Sequence, residues 1–352
     1  MLVLRRVISI VIAVDRFVRL HFIGFAVMLC LLGATSATPD LERRSILGLL
    51  AVALCFHVYS YVLNDVVDLP IDRTQPLRRL DPLVRGAVRP GLALGFALLQ
   101  IPLSVGVLIA LGAAPLALLA LAAGYAAMAV YNLWGKRCPI PLLTDAAQGL
   151  AWGSLALVGA GAVAAEPPPL AILLFLYGAG HIFLINGIHG GLRDLENDLA
   201  HGSRTAASFL GAKPTPAGPL APPAVWIFSL VVQGALALLL LGALVRHAFG
   251  YPADTRAILL GVVGAMLALC VFLAGRVARP QLPGWDVAMR VHLFLIPLTL
   301  IVAFLPRLSL ALRLLVLSLY VLPVLTLEWT HRILREGWAR LRPLGGRRKA
   351  AP

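Results

Sequence analysis

Residues 59–73 read YSYVLNDVVDLPIDR, and the reading of this stretch decides how the rest of the chain is understood. It enters as the end of an apolar run and then sets Asn64, Asp65, Asp68 and Asp72 within nine positions. The whole chain holds only 16 acidic residues in 352. Three carboxylates where a hydrophobic helix ends therefore need a physical reason.

The surroundings of the stretch supply half of it. Apolar residues make up 60% of the sequence and charged residues 13%, against about 25% charged in a soluble domain. Such a composition is that of an integral membrane protein. The net charge of +14 then reads as arginine-rich cytoplasmic loops and contact with anionic lipid, not as a nucleic-acid surface. Cys30, Cys55, Cys138 and Cys270 are scattered, with neither disulfide nor zinc spacing. Arg and Ala are abundant and only Lys136, Lys213 and Lys349 are lysines, a bias that suggests a GC-rich genome and a bacterial cell membrane.

A spanning helix needs about 20 mostly apolar residues. Such runs fall at 20–38, 44–63, 91–112, 115–134, 142–164, 168–189, 222–245, 257–275, 288–305 and 309–330. The last two are separated only by the neighbourhood of Pro306, so nine or ten spans are expected. Residues 1–19 read as an interfacial segment, 20–330 as the membrane domain and 331–352 as a basic cytoplasmic tail. With the N-terminus inside, the loops carrying Arg73, Arg78, Arg79, Arg85, Arg89, Lys136, Arg137, Arg193, Arg204 and Lys213 all face the cytoplasm. The opening stretch faces it too.

A second acidic group, Asp194, Glu196 and Asp198, follows the sixth span on the same side. Asn64, Asp68 and Asp72 step by four, as do Asp194 and Asp198, which aligns each set along a helix face. Like charges at that spacing repel, so a cation should lie among them. Carboxylates with no soft ligand suit Mg²⁺, which takes one or two of them and completes its shell with water and substrate phosphates. The arginines and Lys136 alongside suit phosphate oxygens.

With those residues in place, the chain resembles the UbiA superfamily of intramembrane prenyltransferases. NDVVDLPID (Asn64 to Asp72) is similar to the family's NDxxDxxxD. DLENDLAHGSRT (Asp194 to Thr205) is similar to its DxxxDxxxGxRT, and YNLWGKR (Tyr131 to Arg137) stands at its Tyr-x-x-x-Lys-Arg segment, one residue longer. The likeness spans roughly residues 16 to 215. It implies an all-α bundle around a central cavity open to the cytoplasmic side, with Mg²⁺ as cofactor and an isoprenyl diphosphate as donor. It implies metal ligation by Asn64, Asp65, Asp68, Asp72, Asp194 and Asp198, with Asp65, Asp68 and Asp194 central to catalysis. Arg73, Arg78, Arg79, Lys136, Arg137, Arg193 and Arg204 would hold the diphosphate.

Three features depart from the family pattern. Gly190 and Gly191 stand where a Lys-Asp pair often precedes the second motif, Asp81 replaces a basic residue, and a tenth apolar run is present. Asp145, near the start of the fifth span, reads as an acceptor-binding or base residue. His57, His181 and His189 are expected near the cavity, and Tyr59, Tyr61, Trp134 and Trp152 could shelter a cation. The expected activity is prenyl transfer to a small aromatic or quinone-like acceptor. The alternatives are cyclisation of the prenyl diphosphate without an acceptor, phosphoribosyl transfer to a polyprenyl phosphate, and a non-enzymatic transporter or scaffold.

Overall fold

The computed structural model describes residues 2–75, 78–216 and 218–325, with side chains from Ile10 onward. The expected tail at 331–352 and the end of the last apolar run lie outside the described residues. Everything else is helix and connection, apart from one isolated bridge between Lys213 and Leu220.

The long helices follow the apolar runs. They are α1 (Leu2–Val18), α2 (Ile23–Ala37), α3 (Arg43–Val67), short α4 (Leu69–Asp72), α5 (Pro90–Leu111), α6 (Pro115–Trp134), α7 (Pro141–Gly161) and α8 (Pro169–Leu184). After a π-helical turn at Ile185–Gly190 come short α9 (Gly191–Arg193), α10 (Leu195–Ala200) and α11 (Ala206–Phe209). Then follow α12 (Pro223–Val245), α13 (Ala253–Val277), α14 (Trp285–Phe304) and α15 (Leu310–Pro323). Proline opens α5, α6, α7, α8 and α12, where its missing N–H costs nothing because the first helical turn has no intrahelical acceptor to lose.

Among the described residues, eight helices are long and apolar enough to cross a membrane, from Leu20–Ala37 to Trp285–Arg307. The protein is therefore an integral, multi-pass membrane protein. The two expected spans outside this set differ from it for different reasons. α7 has ample length at 21 residues, but Thr144, Asp145, Gln148 and four glycines dilute its hydropathy. It is also largely buried, as α2 is, so it meets protein where other helices meet lipid. The described part of α15 has 14 residues, about 21 Å at 1.5 Å per residue.

Glycine makes the centre dense. A Cβ on Gly33 of α2 would lie 2.1 Å from the Ala156 carbonyl oxygen of α7, and one on Gly159 of α7 would lie 2.0 Å from that of Cys30. Gly149 and Gly153 meet Ala179 and Phe175 of α8 in the same way. Without a hydrophobic force to join helices inside lipid, such backbone-to-backbone approach supplies dispersion and holds α2, α7 and α8 together. α3, α6 and α8 all end at one end of this packed centre, where α2 begins.

Candidate functional site

The first motif is built by a helix that nearly continues. The Asp68 N–H donates to the Asn64 carbonyl at 2.8 Å, and the Asp72 N–H donates to the Asp68 carbonyl at 2.9 Å. Pro70 falls inside the first turn of α4 and so breaks no bond. The Asn64 side-chain amide donates to Asp68 Oδ2 at 3.2 Å, as their spacing of four predicts. Asp65, Asp68 and Asp72 are all buried.

Their charges are met by cations from three places. Arg78 places Nη1 3.7 Å from Asp65 and Nε 3.9 Å from Asp72, and its Nη1 reaches Asp81 at 3.4 Å. Arg19 pairs with Asp65, and Arg16 with Asp81 at 3.2 Å. Arg16, Phe17, Asp65, Asp72, Asp81, Pro82, Leu83 and Val84 line one pocket. Burial raises the Asp72 carboxyl above the ordinary carboxylate range, against the pull of Arg78. In the sequence Asp81 reads as a departure from the family pattern and residues 1–19 as an interfacial segment. Arg16, Arg19 and Asp81 belong to this acid cluster, and only the turn between α1 and α2 brings the arginines there. Arg19 holds φ +52°, a conformation unfavourable for a side chain with a Cβ. His57 Nε2 lies 2.9 Å from the Val18 carbonyl and 3.0 Å from that of Arg19, and ties the turn down.

The second motif is unlike the first. The π turn INGIHG widens the end of α8, and α9 and α10 follow as single turns. Asp198 is buried, whereas Asp194 is part-exposed and gripped by the neighbouring Arg193, with Nη2 to Oδ2 at 2.6 Å and Nε to Oδ1 at 3.0 Å. Burial raises the Asp198 carboxyl, partly countered by Lys136. Burial acts on Asp194 too, but the bonds and charge of Arg193 hold its carboxyl below the ordinary range.

Lys136 joins the two motifs. Its Nζ lies 3.2 Å from Asp68 Oδ2 and 3.3 Å from Asp198 Oδ1, and the latter oxygen is buried without a hydrogen bond. Thr74 Oγ1 adds a hydrogen bond to Asn197 Oδ1 at 3.3 Å. The ammonium thus sits where one cation can touch both acid groups.

An aromatic cluster lies one turn before Asp65. Tyr61, Trp152, Phe25, Phe56, His57 and His181 pack ring to ring at 4.7–6.1 Å, and the Arg19 guanidinium lies over Tyr61. Tyr59 instead stacks edge-on against Tyr125, and Trp134 is exposed. His189 pairs with His292, away from the acids. Arg73, Arg79, Arg137 and Arg204 are exposed and make no ion pair among the described residues. Thr205 caps α11 through a reciprocal bond with Ser208. Asp145 accepts from the Asn186 amide at 2.6 Å, and Asn186 in turn accepts from the Tyr131 hydroxyl at 3.1 Å.

The donor set suits Mg²⁺. No three acidic, His or Cys side chains converge on one point among the described residues, yet Mg²⁺ needs only one or two carboxylates when phosphates complete its shell. Asp68 and Asp198 already share one cation.

Comparison with known proteins agrees with this geometry. The model of the UbiA prenyltransferase family matches residues 23–253. No curated protein sequence matches the chain. Among solved structures, a UbiA homologue from Aeropyrum pernix K1 in its apo form is 19% identical, with a TM-score of 0.61, over 80% of this chain and 97% of that one. A UbiA homologue from Archaeoglobus fulgidus bound to GPP and Mg²⁺ is 15% identical, with a TM-score of 0.61, over 83% and 98%. A digeranylgeranylglyceryl phosphate synthase is 18% identical, with a TM-score of 0.59, over 88% and 97%. At such identities the likeness is one of fold.

Proposed function

The chain belongs to the UbiA prenyltransferase family, and from that premise we propose that it is a Mg²⁺-dependent intramembrane prenyltransferase. Its donor is an isoprenyl diphosphate and its acceptor a small aromatic or quinone-like molecule. The reaction takes place at the cytoplasmic face of a bacterial cell membrane. The observation that carries the reading is Lys136 Nζ, within 3.3 Å of a carboxylate from each acid motif. Two acidic groups 130 residues apart in sequence share one cation-binding point, which solvated loop charges would not do.

Asn64, Asp65, Asp68, Asp72 and Asp198 are the residues that would hold Mg²⁺, with Asp194 at the edge. A Mg²⁺ held by these residues would supply positive charge against that developing on the departing diphosphate. The protein's own cations complete that task. Lys136, Arg78 and Arg19 exchange their carboxylate partners for diphosphate oxygens, which makes diphosphate a better leaving group. Loss of diphosphate leaves an allylic cation. Tyr61, Trp152 and Phe25 offer π faces to it and keep water away. The acceptor then forms the new bond to the prenyl carbon and gives up a proton.

Incubation of the purified protein with Mg²⁺ and geranyl, farnesyl or geranylgeranyl diphosphate tests this. Diphosphate release that requires an added aromatic acceptor is the expected result. Hydrocarbon products without any acceptor would replace transfer by cyclisation. Full release by Asp68→Ala or Asp198→Ala would refute the shared cation site.

A further inference from the structure

We infer that Asp145 is a positioning residue that fixes the direction of the Tyr131 hydroxyl through Asn186. The three side chains form an unbranched chain from α7 through the π turn to α6. Tyr131 donates its O–H to Asn186 Oδ1 at 3.1 Å, and Asn186 Nδ2 donates to Asp145 Oδ1 at 2.6 Å. The other oxygen of Asp145, Oδ2, is buried and has no hydrogen-bond partner. Asn186 is therefore the group through which this buried carboxylate acts.

The chain has a defined polarity. In its ionised form the Asp145 carboxylate only accepts hydrogen bonds, so Asn186 then turns its NH₂ toward Asp145 and its carbonyl toward Tyr131. That carbonyl also only accepts, which commits the phenolic proton to Asn186. The Tyr131 oxygen is left with its lone pairs facing elsewhere. Its ring packs against Gly135, immediately before Lys136, whose Nζ lies 3.2 Å from Asp68 and 3.3 Å from Asp198. An oxygen presenting lone pairs there can accept the proton-bearing group of an acceptor or face a developing cation. One presenting its proton would do neither.

The π turn makes the arrangement possible. Six residues, Ile185–Gly190, occupy a widened turn, and the altered register sends Asn186 toward α6 and α7 while His189 faces α14. π turns within α-helices are frequent at functional sites. Gly187 leaves room beside the carboxylate, since a Cβ there would lie 3.4 Å from Asp145 Oδ2.

The catalytic consequence rests on the prenyl-transfer reading, but the hydrogen-bond chain can be tested without it. The first measurement is the Raman Fermi doublet of tyrosine in the wild-type minus Tyr131→Phe difference spectrum, repeated in an Asp145→Asn background. A donor-type Tyr131 that loses this character with Asp145→Asn, and likewise with Asn186→Ala, is expected. A doublet indifferent to both substitutions overturns the inference. The second measurement is a double-mutant cycle on turnover. Asp145→Asn and Tyr131→Phe should each lower kcat by roughly ten- to a hundredfold, with little change in KM for the prenyl diphosphate. The double variant should be no slower than Tyr131→Phe alone, because a residue acting through another adds nothing once that one is gone. Losses that multiply would make Asp145 an independent group and overturn the inference. Wild-type protein that turns over no prenyl diphosphate would instead refute the prenyl-transfer reading, and the spectrum would still decide the chain.

Discussion

The two acid motifs carry the same pattern, an aspartate followed four residues later by another, and the fold uses them differently. In the first, α3 runs into α4 almost unbroken, and Asp65, Asp68 and Asp72 all stay buried. In the second, the π turn and two single-turn helices interrupt the run. Asp198 is carried inward, while Asp194 turns toward Arg193 at the rim. Equal spacing therefore gives three enclosed carboxylates on one side and one on the other. The enclosed negative charge lies mostly in the first motif, and the link to the second runs from Asp68 through Lys136 to Asp198.

That asymmetry can be broken most forcefully at the bridge. Asp68→Ala or Asp198→Ala should lower diphosphate release by about a thousandfold or more, since each removes charge stabilisation at the leaving group. Lys136→Met should have the next largest effect, about a hundredfold on turnover. It also removes the ammonium that competes for the same oxygens, so Mg²⁺ measured by calorimetry without substrate should bind more tightly. Weaker Mg²⁺ binding would show that Lys136 organises the carboxylates instead of standing in for the metal.

Asp194→Ala should cost about tenfold or less in turnover, as expected for a part-exposed ion pair. A loss equal to that of Asp198→Ala would erase the distinction between the two aspartates. The pair also differs in sign with pH. Asp194 has a lowered carboxyl pKa in the fold, so it contributes stability above its unfolded value of about 3.9. That contribution disappears as pH falls through the folded value. Asp198 has a raised one, so its ionisation costs stability as pH rises from about 3.9 through the folded value. In thermal melts at neutral pH without Mg²⁺, Asp194→Asn should lower Tm and Asp198→Asn should leave it equal or higher. The smallest effect is expected for Arg73→Ala and Arg204→Ala, both exposed. They should change KM by no more than about threefold, with the difference vanishing in high salt.

Much of the site was readable along the chain. Asn64 meets Asp68 four positions on, and Asp65 and Asp72 share Arg78, because helical periodicity sets which side chains share a face; Lys136 and Asp198 reach Asp68 from other helices. Arg16, Arg19 and Asp81 were not readable in that way. Each lies outside a motif: Arg16 and Arg19 reach the cluster at the turn that His57 holds through the carbonyls of Val18 and Arg19, and Asp81 reaches it from the loop before α5. Arg73, Arg79, Arg137 and Arg204 show the converse. Their position beside a motif says nothing about which way a long side chain points at a helix end.

Glycine marks the same boundary in the fold. Gly33 and Gly159 would drive a Cβ into a facing backbone, whereas Gly91, Gly95, Gly261 and Gly264 would meet nothing within 4 Å. These glycines are alike in sequence, each set in an apolar helix. What local order settles is membrane residence, the helical class and the acid motifs, because hydropathy and helical repeat act over neighbouring residues. What the packed bundle alone decides is which carboxylates are enclosed, which cation bridges them and which way the Tyr131 hydroxyl points. Those depend on contacts between residues tens to more than a hundred positions apart, fixed only when α2, α7 and α8 close on one another.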